Sequence, residues 1–137
     1  MQPVEAKILL KGLCEAPRGQ ITGVVTDSRQ VMPGCVFVCF EGARVDGHRF
    51  AAGAVQAGAA YILALHPVEG VPPEKTILVR DPALAMVAMA ANYRALFHPR
   101  MIGVTGSVGK TTTKEFCAAV LEHFGPTVKT EGNQNNE

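Results

Sequence analysis

Charge of one sign is the first thing this sequence lacks. Thirteen Lys and Arg stand against twelve Asp and Glu in 137 residues, a net charge of +1, so there is no electrostatic footprint for nucleic acid and polyanion binding is excluded as the main role. Long apolar runs are missing too: the longest, Pro82 to Ala91, falls far short of the roughly 20 residues that span a bilayer. The opening Met1-Gln-Pro-Val-Glu-Ala-Lys-Ile-Leu-Leu10 mixes charge into its apolar residues and leads to no small-residue cleavage site, so export is not expected and the cytoplasm is the expected location. Cysteines 14, 35, 39 and 117 form no C-x-x-C pair, which argues against a metal cluster. Cys35 and Cys39 lie on one face of an apolar strand and read as buried thiols. Tryptophan is absent, but 47% of the residues are hydrophobic and 18% charged, which builds a core and excludes a disordered chain. No repeat or low-complexity tract interrupts it.

What is present alternates strands with helices. A helical stripe through Val4, Ile8, Leu9 and Leu13 opens the chain. Strands are expected at Ile21–Thr26 and Cys35–Phe40, with the turn chemistry of Pro33-Gly34 between them, so Asp27-Ser28-Arg29 leaves a strand end. A small-residue helix follows, with Phe50, Ala54, Val55 and Gly58 on one side, then strands Tyr61–Leu65 and Thr76–Val79. Asp81-Pro82 reads as an N-cap with proline at the first helical position, opening a helix to about Phe97. His98-Pro99-Arg100 ends it and marks a domain boundary. A strand Met101–Thr105, a glycine-rich turn, a helix Lys110–Phe124 with Phe116, Cys117, Val120, Leu121 and Phe124 on its buried side, and a strand Thr127–Thr130 complete the pattern. Strand–helix alternation predicts an α/β fold with at least part of its sheet parallel.

Thr105-Gly-Ser-Val-Gly-Lys-Thr-Thr112 sits between an apolar strand and an amphipathic helix, where phosphate binding requires a loop. Gly106 and Gly109 let backbone N–H groups turn toward phosphate oxygens, and the helix start adds free donors and a positive dipole end. Lys110 then reaches the β and γ phosphates, and the Thr111 hydroxyl stands where such loops ligate Mg²⁺. ATP binding is thus assigned to Gly106, Ser107, Val108, Gly109, Lys110, Thr111 and Thr112, with Lys110 as the catalytic charge and Thr111 as the metal ligand. The general pattern asks for glycine at 104, where this chain has Val104. The plain alternative is a tight strand-to-helix turn with a solvated lysine.

On these residues the chain resembles the Mur ligases, ATP-dependent enzymes that build the peptide stem of bacterial peptidoglycan. Their loop, T-G-[ST]-x-G-K-T, matches Thr105 to Thr111 and accounts for the shifted glycine. Thr26-Asp-Ser-Arg29, Pro33-Gly-Cys-Val-Phe37 and Gly42-x3-Asp46-Gly-His48 resemble the N-terminal domain of the family's tripeptide-synthetase and D-alanyl-D-alanine-adding branches. Lys110-Thr-Thr-Thr-Lys-Glu115 and Gly132-Asn-Gln-Asn-Asn136 favour the second branch. The resemblance implies residues 1–99 as a UDP-sugar-binding domain, with Asp27, Ser28 and Arg29 at the nucleotide, and residues 100–137 as the first strand–loop–helix–strand unit of a parallel-sheet ATP domain. It implies ATP and Mg²⁺ as cofactors. UDP-N-acetylmuramoyl-tripeptide and D-alanyl-D-alanine are the implied substrates, joined through an acyl phosphate. Asn133, Asn135 and Asn136 are candidates to line the phosphate site.

Simpler roles compete at the secondary positions: Asp27 as a turn cap, His48 as a capping or packing histidine, Arg44 and Arg49 as solvated charges. Beyond Lys110 the acids are Glu115, Glu122, Glu131 and Glu137, with no aspartate. A phosphate-loop enzyme normally takes a second Mg²⁺ ligand from an acid on a later strand, so the 137 residues alone are expected not to ligate. An unpaired strand edge and an apolar helix face make self-association a hazard. A tripeptide synthetase, a noncatalytic nucleotide-binding module and a different phosphate-loop ligase, such as a folylpolyglutamate or cyanophycin synthetase, remain the alternatives.

Overall fold

A computed structural model describes residues 1–42 and 45–131. They fall into two compact units, Met1–His98 and Pro99–Glu137, each described by itself.

The first unit is α/β. Four short strands, β3 (Val24–Val25), β4 (Val36–Val38), β5 (Tyr61–Ala64) and β6 (Thr76–Leu78), form one sheet in sequence order. Every neighbouring pair is parallel, with Val24 opposite Val36, Phe37 opposite Ile62 and Leu63 opposite Ile77. Period-2 alternation splits the core between the two sheet faces. Val36, Val38, Leu63 and Ile77 pack with Leu9, Leu10, Ala85 and Met89 on one side. Cys35, Phe37, Cys39, Ile62 and Ala64 pack with Ala51 and Ala54 on the other. Cys35 and Cys39 thus share a face as buried free thiols, and burial pushes the Cys39 thiol up to about 12.

The opening segment departs from a single helix. Val4–Glu5 is a strand, β1, antiparallel to β2 (Gln20–Ile21), and only Ala6–Leu9 form a turn of helix, α1. Val4 finds a β partner in Ile21, and the Ala6 N–H goes to the Gly19 carbonyl. The expected strand at 21–26 is divided accordingly: β2 serves β1, β3 serves β4, and the Thr22 N–H between them bonds the Gly34 carbonyl. The small-residue helix α2 (Ala51–Gln56) buries Ala51 and Ala54, whereas Phe50 is exposed. Helix α3 (Pro82–Arg94) opens as expected, with Asp81 Oδ1 accepting from the Ala83 and Leu84 N–H groups at 2.8 and 3.1 Å. Its Asn92 amide donates to the carbonyls of Leu9 and Lys11, both at 3.0 Å, satisfying orphan acceptors at the end of α1.

The second unit is organised around α4 (Lys110–Leu121). Neither Met101–Thr105 nor Thr127–Thr130 forms a strand, which corrects the expected strand–loop–helix–strand unit. A ladder needs partners, and among the described residues these segments have none. For the same reason the helix face expected to be buried is largely open: Phe116 is 70% exposed, Val120 and Phe124 are exposed, and only Ala118 is buried. No helix among the described residues is long and apolar enough to cross a membrane.

Candidate functional site

The chain leaves β3 at Val25 and turns at once. Asp27 caps a single 3-10 turn, Ser28–Gln30, accepting the Arg29 N–H on Oδ1 at 2.9 Å. The same carboxylate takes the Arg29 side chain: Nε donates to Oδ1 and Oδ2 at 3.0 and 3.1 Å, and Nη2 to Oδ2 at 2.6 Å. These bonds hold the Asp27 carboxyl down at about 2. The turn cap weighed as the simpler role of Asp27 is therefore present. The Arg29 side chain is 87% exposed, and the side chain of the half-buried Ser28 makes no hydrogen bond among the described residues. Asp27, Ser28 and Arg29 stand together beyond the carboxyl end of a parallel strand, the edge at which open α/β sheets take ligands.

Asp46-Gly47-His48 braces the same end of the sheet. Asp46 Oδ1 accepts the His48 N–H at 2.9 Å and pairs with His48 Nδ1 at 2.6 Å; these two bonds, the backbone one first, hold the Asp46 carboxyl below its usual range. Gly47 lies where a Cβ would come within 3.0 Å of the Phe40 nitrogen, so only glycine admits this close approach. His48 is buried at 4% exposure, and its Nε2 accepts the Leu65 N–H at 3.1 Å. The ring also stacks on His66, centroids 4.3 Å apart. Glu41, His48 and His66 bring ligand-capable atoms within 4.8 Å of one another. Both His48 nitrogens are already engaged, one by Asp46 and one by Leu65, so His48 has no lone pair to give an ion. The structural role weighed for His48 is the one seen. Arg49 lies on the same turn and is exposed; Arg44 lies outside the described residues.

In the second unit, Gly106 has φ +150° and Gly109 φ +78°, left-handed values that favour glycine. Gly109 is the N-cap of α4 and offers no side chain to the helix start. The first-turn N–H groups of a helix have no carbonyl within it, so those around Lys110 and Thr111 are directed to whatever occupies the loop. Lys110 Nζ folds back to the Gly106 carbonyl at 2.7 Å, which places the ammonium across the loop. Ser107, Val108 and the Thr111 and Thr112 hydroxyls are exposed around it, and both threonines border a cleft of about 490 Å³ that runs on to Glu115 and Lys129. The set fits a polyphosphate: donors and one cation, no acid inside the loop, and a hydroxyl on the first helical turn for a divalent ion. Asn133, Asn135 and Asn136 lie outside the described residues.

One feature was missed in the sequence. Glu115 ion-pairs with Lys129, and Lys114 Nζ donates to the Thr130 carbonyl at 2.6 Å, tying α4 to the segment that follows it. The Lys129 ammonium, with Lys114 in lesser part, lowers the Glu115 carboxyl against the opposing effect of burial. Residues 14 or 16 positions apart carry no local signal that would have revealed this.

Residues 20–94 match the description "Mur ligase family, catalytic domain", and residues 104–137 match "Mur ligase middle domain". A UDP-N-acetylmuramoyl-tripeptide–D-alanyl-D-alanine ligase from Synechocystis is 44% identical over 119 residues, 86% of this chain and 26% of that protein. MurF from Acinetobacter baumannii superposes with a TM-score of 0.82 at 32% identity, over 99% of this chain and 31% of that one. MurF from Thermotoga maritima, solved in complex with ADP, gives 0.71 at 37% identity, covering 82% of this chain and 26% of that one. The chain therefore spans about a quarter of the length of the curated relative. With a family match over residues 20–94 and a second in order behind it, the chain belongs to the Mur ligase family.

Proposed function

We propose that these residues supply the nucleotide-handling part of an ATP-dependent ligase that adds D-alanyl-D-alanine to UDP-N-acetylmuramoyl-tripeptide in the cytoplasm. The observation that carries this is the loop at 105–112, where two left-handed glycines, a lysine folded across the loop and the start of α4 are assembled in one place. The 44% identity to a ligase of that name supports the choice of substrates. In such a reaction a carboxylate oxygen of the tripeptide attacks the γ-phosphorus of ATP and ADP leaves. The dipeptide amine then attacks the acyl carbon, phosphate departs and the amine loses a proton.

Positioning and charge neutralisation are the main work in phosphoryl transfer. Gly106 to Gly109 direct backbone donors at the β and γ phosphates, Lys110 neutralises charge developing there, and Thr111 is the hydroxyl available to Mg²⁺, whose contribution when bound is to offset phosphate charge. Asn133, Asn135 and Asn136 join the phosphate lining. Residues 1–99 hold the UDP moiety, with Ser28 and Arg29 donating to it, and residues 100–137 begin the ATP domain. The test is calorimetric titration of the 137-residue chain with MgATP. Lys110→Ala is expected to weaken binding at least about tenfold, the scale of a charge-assisted contact to phosphate, and equal affinity of the two chains would overturn the assignment.

A further inference from the structure

Resting on that nucleotide reading, we propose that Asp27 is a positioning residue that never touches the nucleotide: its carboxylate holds one fork of the Arg29 guanidinium and leaves the other to the ligand. An ionised carboxylate offers about four lone-pair sites. Arg29 alone directs three hydrogens at this carboxylate: its backbone N–H to Oδ1, the single Nε hydrogen shared between Oδ1 and Oδ2, and one Nη2 hydrogen to Oδ2. Both Asp27 oxygens are thus already engaged by Arg29, and the negative charge is unsuited to a diphosphate. Arg29, by contrast, has committed only Nε and one Nη2 hydrogen. Nη1 and the second Nη2 hydrogen form a planar two-pronged donor, the geometry that matches a phosphate or a pair of carbonyl oxygens. A lone arginine side chain loses much rotamer freedom when a ligand fixes it. Here Asp27 has fixed it beforehand, from the backbone N–H outward to Nη2, on a turn anchored to β3.

The experiment is a double-mutant cycle read by calorimetric titration of the 137-residue chain with uridine diphosphate. Asp27→Asn keeps an oxygen for the Arg29 N–H, so the turn is retained and the chain stays folded at the titration temperature, but it loses the charged fork. It is expected to weaken uridine diphosphate about threefold, the scale of an exposed ion pair. Arg29→Ala is expected to weaken it further, and Asp27→Asn added to Arg29→Ala should change nothing more. That vanishing increment is what a merely structural aspartate would not produce. An equal loss in both backgrounds, or no loss from Asp27→Asn in the parent chain, overturns the positioning role while leaving the nucleotide site intact. Failure of the parent chain to bind uridine diphosphate removes the nucleotide reading and this inference together.

Discussion

Replacing His48 with alanine separates two roles that a histidine after an Asp-Gly pair could have, and the structure sets the size of the effect. The imidazole is buried, accepts the Leu65 N–H at 3.1 Å, holds Asp46 at 2.6 Å through Nδ1 and stacks on His66. Alanine strands the Leu65 N–H at the end of β5, a loss of about 1–3 kcal/mol. It also removes a packed ring, which adds a large-to-small cost of about 2 kcal/mol or more. The backbone N–H of residue 48 keeps its Asp46 acceptor, so the turn survives and adds no further loss, and the lower ends of the two costs together set a loss of about 3 kcal/mol. In a unit of 98 residues each kcal/mol moves the midpoint by roughly 4–8 °C, so a fall of about 12–24 °C is expected. Urea denaturation followed by far-UV circular dichroism gives the free energy directly. Uridine diphosphate affinity, measured where the variant is still folded, should stay near that of the parent. A loss of stability under about 1 kcal/mol coupled to abolished nucleotide binding would refute the brace and make His48 a ligand residue.

Acid should weaken the first unit in a defined window. The Asp27 carboxyl lies at about 2 in the folded chain against an ordinary 3.8, and Asp46 is also lowered. Groups depressed on folding favour the fold above the unfolded value and lose that contribution as pH falls through the folded one. Urea midpoints should therefore drop between 3.8 and about 2, less steeply in the Asp27→Asn, Asp46→Asn double variant; parallel curves would contradict the assignment. In the second unit, Gly109→Ala meets no atom within 4 Å but must hold φ +78°, at about 1–2 kcal/mol for an L-residue. The variant should keep the circular dichroism of α4 yet bind MgATP more weakly, and unchanged affinity would show that the left-handed N-cap is dispensable.

Much of the first unit was legible because its signals are local or strictly periodic. Cys35 to Cys39 alternate sides as a strand must, and the Asp81-Pro82 cap forms the bonds its residue types require. The opening ten residues were not legible in the same way. A stripe through Val4, Ile8 and Leu9 satisfies helical spacing, but the decision between helix and strand at Val4 rests with Ile21, seventeen positions on, and tertiary pairing overrides propensity there. The motif residues divide likewise. The roles of Asp27 and Asp46 as turn caps follow from residue type, two positions before the N–H each accepts. Nothing near His48 in the sequence points to the Leu65 N–H as its partner.

The second unit shows the same division more sharply. A helix satisfies its hydrogen bonds within itself, so α4 and the left-handed glycines that start it form from residues 106–121 alone. A parallel strand satisfies none of its bonds within itself, and Met101–Thr105 and Thr127–Thr130 remain irregular, with Val128 97% exposed. The loop chemistry depends on the helix start rather than on the strands: the first-turn N–H groups, the Gly109 conformation and the Lys110 bond to Gly106 all lie within one and a half turns. Phosphate affinity should consequently appear in these residues before the sheet that orients them does. That is why MgATP binding, and not ligation, is the measurement that tests the site.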